Sequence, residues 1–144
     1  MAPQAGRGVK RGTKASSIVG RATRGVTFDT GVLIALERRH AGALALLRAC
    51  RISRASITIP ATVVAEWWRG THRMLLEIGS IEPLGADLAQ RAGELLAKTK
   101  GSNGIDATVV ASAAQRGDLI VTGDAVDLRR LAASLRNVTV EGLV

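Results

Sequence analysis

Val26-Thr27-Phe28-Asp29-Thr30-Gly31-Val32-Leu33-Ile34-Ala35-Leu36 decides how this chain is to be read. Val26–Phe28 has the β-branched and aromatic chemistry of a strand, and it stops at a carboxylate. Thr30–Glu37 then predicts a short apolar helix. A strand that hands over directly to a helix opens a βα unit, and an acid at the carboxyl end of the first strand sits where open α/β sheets build their sites. Working outward, a second helix is expected over Ala41–Arg51 and a second strand over Ser56–Ile59, stopped by Pro60, which suits the first turn of the next helix, Ala61–Arg69. Thr71–Ile78 reads as further helix. Ser80–Leu84 is a short strand whose Pro83 puts it near a sheet edge. Ala86–Lys100 has helical spacing, Gly101–Gly104 is a loop, and Ile105–Arg116 is an Ala/Val-rich helix of a central kind. Leu119–Thr122 is a continuous apolar run, as expected of a parallel strand buried on both faces. Helix Asp124–Leu135 and strand Val138–Val140 complete an alternation that implies a mostly parallel sheet sandwiched by helices.

The bulk properties fit that class. At 144 residues and 47% hydrophobic content the chain suits one folded domain. Its aromatics are Phe28, Trp67 and Trp68 alone, so the core is Leu, Val, Ile and Ala. Cys50 is the single cysteine, which excludes an internal disulfide and a Cys-based zinc site and fits a cytoplasmic setting. No apolar run approaches the ~18 residues of a membrane span. Of the net charge of +8, six positive charges (Arg7, Lys10, Arg11, Lys14, Arg21 and Arg24) lie in residues 1–25, which hold no acid. Residues 1–25 therefore read as a flexible basic extension and 26–144 as the domain. A nucleic-acid-steering tail and a transit peptide are the functional readings of that extension; a plain disordered terminus is the favoured one.

Four acids at the edges of apolar elements carry the chemistry. Singly, Asp29, Asp106 and Asp124 each read as helix caps, because each opens a predicted helix. Glu66 is harder to dismiss, since Thr62-Val63-Val64-Ala65 precedes it and Trp67-Trp68 follows, and a carboxylate on so apolar a segment usually has a partner. Together they read differently. Asp29 and Asp124 end apolar strands on the face where parallel sheets hold ligands. Glu66 and Asp106 lie early on helices able to lean over the same edge. Four carboxylates in one place raise one another's pKa unless a cation intervenes. Oxygen-only ligation selects Mg²⁺ or Mn²⁺. Such an ion acidifies a bound water for attack on a phosphodiester, so no histidine base is needed, and His40 and His72 read as surface residues.

These residues are similar to those of PIN-domain ribonucleases, and among them to VapC-type toxins of bacterial toxin–antitoxin pairs. The likeness is carried by Phe28-Asp29-Thr30, by Glu66 with Gly70 four residues on, by Gly104-Ile105-Asp106-Ala107-Thr108-Val109-Val110-Ala111, and by Ile120-Val121-Thr122-Gly123-Asp124. It implies a PIN-like three-layer α/β/α sandwich, and Asp29, Glu66, Asp106 and Asp124 as catalytic acids holding Mg²⁺ or Mn²⁺. Thr122 is implied as a hydroxyl orienting a carboxylate, and Asp127 as a fifth acid whose ordinary reading is a solvated carboxylate in a helix's first turn. The resemblance further implies an endoribonuclease that leaves a 5′-phosphate and a 3′-hydroxyl on structured RNA such as tRNA or rRNA. A small VapB-like antitoxin partner and a homodimer come with it. The basic extension and the Trp67-Trp68 pair depart from the family pattern. One tryptophan is expected in the core, and the other as a base-stacking platform or antitoxin contact. Arg69 is read as a phosphate contact from its position just beyond Glu66. The alternative is a non-catalytic RNA-binding or scaffold module on the same fold, its acids serving as helix caps. A phosphoacceptor signalling domain is weaker, because the only lysines beyond the extension are Lys98 and Lys100.

Overall fold

A computed structural model describes residues 25–143; the expected extension therefore lies outside the described residues, except for Gly25, which joins the first strand. The sheet is built from β1 (Gly25–Phe28), β2 (Ser56–Pro60), β3 (Ser80–Glu82), β4 (Leu119–Thr122) and β5 (Thr139–Gly142) in the order β3-β2-β1-β4-β5. Every pairing is parallel, with Val26 opposite both Ile57 and Leu119. The chain steps outward from β1 through β2 to β3, then returns to the other side of β1 for β4 and β5. The strand order thus reverses between β1 and β4, and that crevice is where a parallel sheet leaves room for a ligand.

Helices α1 (Thr30–Glu37), α2 (Ala41–Ser53) and α3 (Ala61–Trp67) belong to the outward half, and α4 (Ala86–Thr99), α5 (Gly104–Arg116) and α6 (Ala125–Ala132) to the return half. With right-handed crossovers the two sets cover opposite faces, giving the three-layer sandwich expected from sequence. All four residues of β1 and of β4 are buried, because a central parallel strand is covered on both sides. Phe28, Leu33, Ile59, Ile120 and Leu128 are among the largest side chains wholly withdrawn from water.

The departures are local. The helix expected over Thr71–Ile78 is a short 3-10 turn, Arg73–Glu77, with no buried residue to anchor it. Helix α3 stops at Trp67 rather than Arg69, since Trp68 is already extended and Gly70 reverses the chain at φ 86°. Strand β3 ends at Glu82, before Pro83, which has no N–H to continue the ladder. Helix α6 begins after Asp124, its N-cap, and ends at Ala132. Among the described residues no helix is long and apolar enough to cross a membrane.

Candidate active site at the strand-order reversal

Asp29 stands at the end of β1 in an extended conformation, φ −93° and ψ −178°, as the N-cap of α1. Its Oδ1 accepts the Val32 N–H at 3.1 Å, and its Oδ2 accepts the hydroxyl hydrogen of Thr122 at the end of β4. The Thr122 hydroxyl also accepts the Asp124 N–H at 2.9 Å. One buried hydroxyl therefore ties the acid of β1 to the segment after β4. Burial pushes the Asp29 carboxyl above its ordinary value, against hydrogen bonds from Thr122 and the backbone of Val32, Gly123 and Gly31. The two βα turns meet through glycines: a Cβ on Gly31 would lie 3.0 Å from the backbone N and Cα of Gly123. Any larger residue at Gly31 would push the turns that carry Asp29 and Asp124 apart.

Asp124 is the N-cap of α6, its Oδ1 accepting the Val126 N–H at 3.3 Å. Capping and membership of the site are thus compatible for both of these acids. Asp106 corrects the sequence reading: it does not cap α5. Asn103 does, accepting the Asp106 N–H at 3.0 Å. The Asp106 carboxylate makes no hydrogen bond among the described residues and remains half-buried. Its pKa rises to about 6, first through burial and then through the fields of Asp29, Glu66, Asp127 and Asp124. Four further acids, at the starts of α1 and α6 and on α3, therefore lie near enough to Asp106 to raise its pKa. Among the described residues, no three His, Cys, Asp or Glu side chains close on one point as a ready-made metal cage.

Glu66 is exposed on α3 and makes no hydrogen bond of its own among the described residues. It opens on a groove of about 760 Å³ between α3, α4 and α5, walled by Leu84, Leu96 and Ile105 with Thr62 and Thr108. Asp127 is exposed in the first turn of α6. Arg69 lies beyond the end of α3, where its guanidinium turns back to donate to the Trp68 carbonyl at 2.7 Å. Trp67 is buried, its Nε1–H donating to Glu37 at 3.4 Å, while Trp68 is half-buried with its ring centroid 5.9 Å away. His40 caps α2, and His72 pairs with Glu37 at 3.1 Å.

Sequence reasoning missed a second polar cluster. Asp118, 3% exposed, precedes β4. It accepts the Thr27 hydroxyl at 2.8 Å and Arg116 Nε at 2.9 Å. Arg116 also bonds the hydroxyls of Thr27 at 3.0 Å and Ser112 at 2.9 Å, and pairs with Glu82. An Arg-Gly-Asp run against an apolar strand was the available signal, since a charge so close to a core strand needs a partner.

The sequence matches the PIN-domain family profile over residues 26–134. The fold is similar to that of a chain of VapBC2 from Rickettsia felis bound to a promoter DNA fragment, at TM-score 0.64 and 17% identity, covering 81% of this chain and 97% of that one. It is similar to a chain of FitAB bound to an IR36 DNA fragment, at TM-score 0.63 and 18% identity over 81% and 94% of the two chains. A toxin–antitoxin complex from Klebsiella pneumoniae gives TM-score 0.58 and 23% identity, over 79% and 95%. No curated protein matches the sequence at a significant level. The chain belongs to the PIN-domain family.

Proposed function

We propose that this PIN-domain chain is a metal-dependent endoribonuclease, a toxin of the VapC type, whose substrate is cellular RNA such as tRNA or rRNA. The observation that carries the reading is the environment of Asp106: a carboxylate with no hydrogen-bond partner among the described residues, its pKa raised by burial and by the charges of four other acids. Asp29, Glu66, Asp106 and Asp124 would hold the cation, and their all-oxygen chemistry fits Mg²⁺ or Mn²⁺. When bound, such an ion neutralises the phosphate and supplies an acidified water for hydrolysis. The chain's own residues do the rest. Thr122 holds one Asp29 oxygen and so fixes the direction of the other. Asn103 satisfies the first turn of α5, which leaves the Asp106 carboxylate available. The groove beside Glu66 offers apolar walls and two hydroxyls to a nucleotide next to the scissile bond.

An antitoxin partner is proposed because the similar folds come from toxin–antitoxin complexes. A homodimer and a cytoplasmic setting complete the reading, with residues 1–25 as a basic extension preceding the domain. The non-catalytic alternative makes all the acids helix caps, and the free carboxylate of Asp106 speaks against it. The test is incubation of the purified protein with total tRNA and rRNA in Mg²⁺, in Mn²⁺ and in EDTA. Cleavage that requires the ion and leaves 5′-phosphate ends is expected. Cleavage that persists equally in EDTA would rule out the cation site.

A further inference from the structure

Glu66 and Asp106 differ from the other two acids in how they are held. Asp29 and Asp124 are fixed by their own hydrogen bonds. Glu66 and Asp106 have none among the described residues, so their separation depends on where α3 sits against α5. Thr62 and Thr108 join those helices at 2.5 Å between hydroxyl oxygens. Thr108 donates to the Ile105 carbonyl at 2.7 Å. Its single hydrogen is thereby used, and Thr62 must be the donor to it. The resulting chain runs from the Thr62 hydroxyl through the Thr108 hydroxyl to the peptide that links Ile105 to Asp106. Thr62 lies one turn before Glu66, on the same face of α3. Thr108 is buried, which strengthens a hydroxyl chain by excluding water.

We propose that the Thr62–Thr108 hydrogen bond is a positioning strap that sets the spacing of Glu66 and Asp106, and with it the cation preference of the site. The inference rests on the cation reading above. The two carboxylates are like charges on two helices, and their repulsion tends to part α3 from α5. The hydroxyl chain opposes that parting one helical turn from the charges. Loss of the strap widens the spacing. The smaller Mg²⁺, which requires near-ideal octahedral geometry, suffers more than a tolerant ion.

Calorimetric titration of the full chain with Mg²⁺ and with Mn²⁺ tests this, on wild type, Thr62→Val, Thr62→Ser, Thr108→Val and the double valine variant. Thr62→Val is the cleaner probe, because it leaves the Thr108–Ile105 bond intact; Thr62→Ala, a good helix former, guards against a folding defect. Thr62→Val is expected to weaken Mg²⁺ binding about tenfold and Mn²⁺ binding less, as for other residues that orient metal-binding groups. Thr62→Ser should restore wild-type affinity, and the double variant should lose no more Mg²⁺ affinity than the worse single variant, since both break one chain. A Thr62→Val protein that melts lower without metal yet binds both ions as wild type does would overturn the strap alone. A wild type that binds neither ion would overturn the cation reading and the strap with it.

Discussion

Two groups of acids lie against the same sheet and are treated in opposite ways. Asp118 and Glu82 share Arg116, whose guanidinium also bonds Thr27 and Ser112. Charge there is matched by charge, and every partner belongs to the fold. Asp29 and Asp124 follow β1 and β4, and with Glu66 and Asp127 they raise the pKa of Asp106, while among the described residues no arginine or lysine is a cause of that shift. Repulsion between like charges costs stability, and that contrast is what the proposed cation site predicts: acids paired within the fold in one place, and acids left to a ligand in the other.

The largest expected effect tests that division through activity. Asp106→Asn and Asp29→Asn should each lower RNA cleavage by a factor of about 10³ or more, the scale on which losing a group that stabilises transition-state charge is felt. Circular dichroism should show both variants folded. Arg116→Met should do the reverse. It strands Asp118, 3% exposed, without its cation. Breaking a buried pair costs about 3 kcal/mol, which on a domain of this size lowers the melting temperature by about 10 °C. Its residual activity per folded molecule should stay near wild type. An Arg116→Met protein that is fully stable but inactive would erase the distinction.

The acids at the ends of β1 and β4 were legible in the sequence, and the Arg116 cluster was hidden. Asp29 and Asp124 each follow a run of buried strand residues, and the same local stretch gives both the strand and its terminating acid. Glu66 stood out because apolar residues surround it. Taken singly, Asp106 reads as a cap because it follows Gly104 at a helix start, but Asn103, three residues before it, takes that role. Arg116 and Asp118 look like ordinary loop charges until Thr27, from a strand 89 and 91 residues earlier, is brought against them. The Thr62–Thr108 contact is non-local in the same way. Partners that meet only through sheet order leave no periodic trace. The Met-Leu-Leu run of Arg73–Glu77 has the composition of a helix, yet nothing in it is buried and it forms only a 3-10 turn.

A smaller effect isolates the cost of the uncompensated acids. Asp106 has its folded pKa raised from 3.8 to about 6. The folded state therefore holds its proton more tightly than the unfolded chain, and stability falls as pH rises through that window. Above it the charged Asp106 destabilises the metal-free fold. After allowance for its partial exposure, the cost is about 1–2 kcal/mol. In EDTA, Asp106→Asn should melt about 4–8 °C above wild type at pH 7.5. The gain should shrink as pH falls and vanish only below the unfolded value of 3.8, where the wild-type acid is protonated in both states. A gain that is independent of pH would trace the effect to packing rather than to charge.

The smallest effect concerns Thr30, directly after Asp29, whose buried hydroxyl has no hydrogen-bond partner among the described residues. An unsatisfied buried hydroxyl costs about 1 kcal/mol or more, and an isosteric methyl removes that cost without a cavity. Thr30→Val should therefore raise the metal-free melting temperature by a few degrees. The paired cluster offers the control. Thr27 on β1 is also buried, but it donates to Asp118 and accepts from Arg116. Thr27→Val takes a donor from Asp118 and an acceptor from Arg116, so it should lower the melting temperature by the few degrees that about 1–2 kcal/mol represents. The same chemical change then has opposite signs at positions three residues apart, one on β1 and one at the start of α1. If both variants fell by the same amount, the contrast between a satisfied cluster and an unsatisfied site would fail at the level of single hydroxyls.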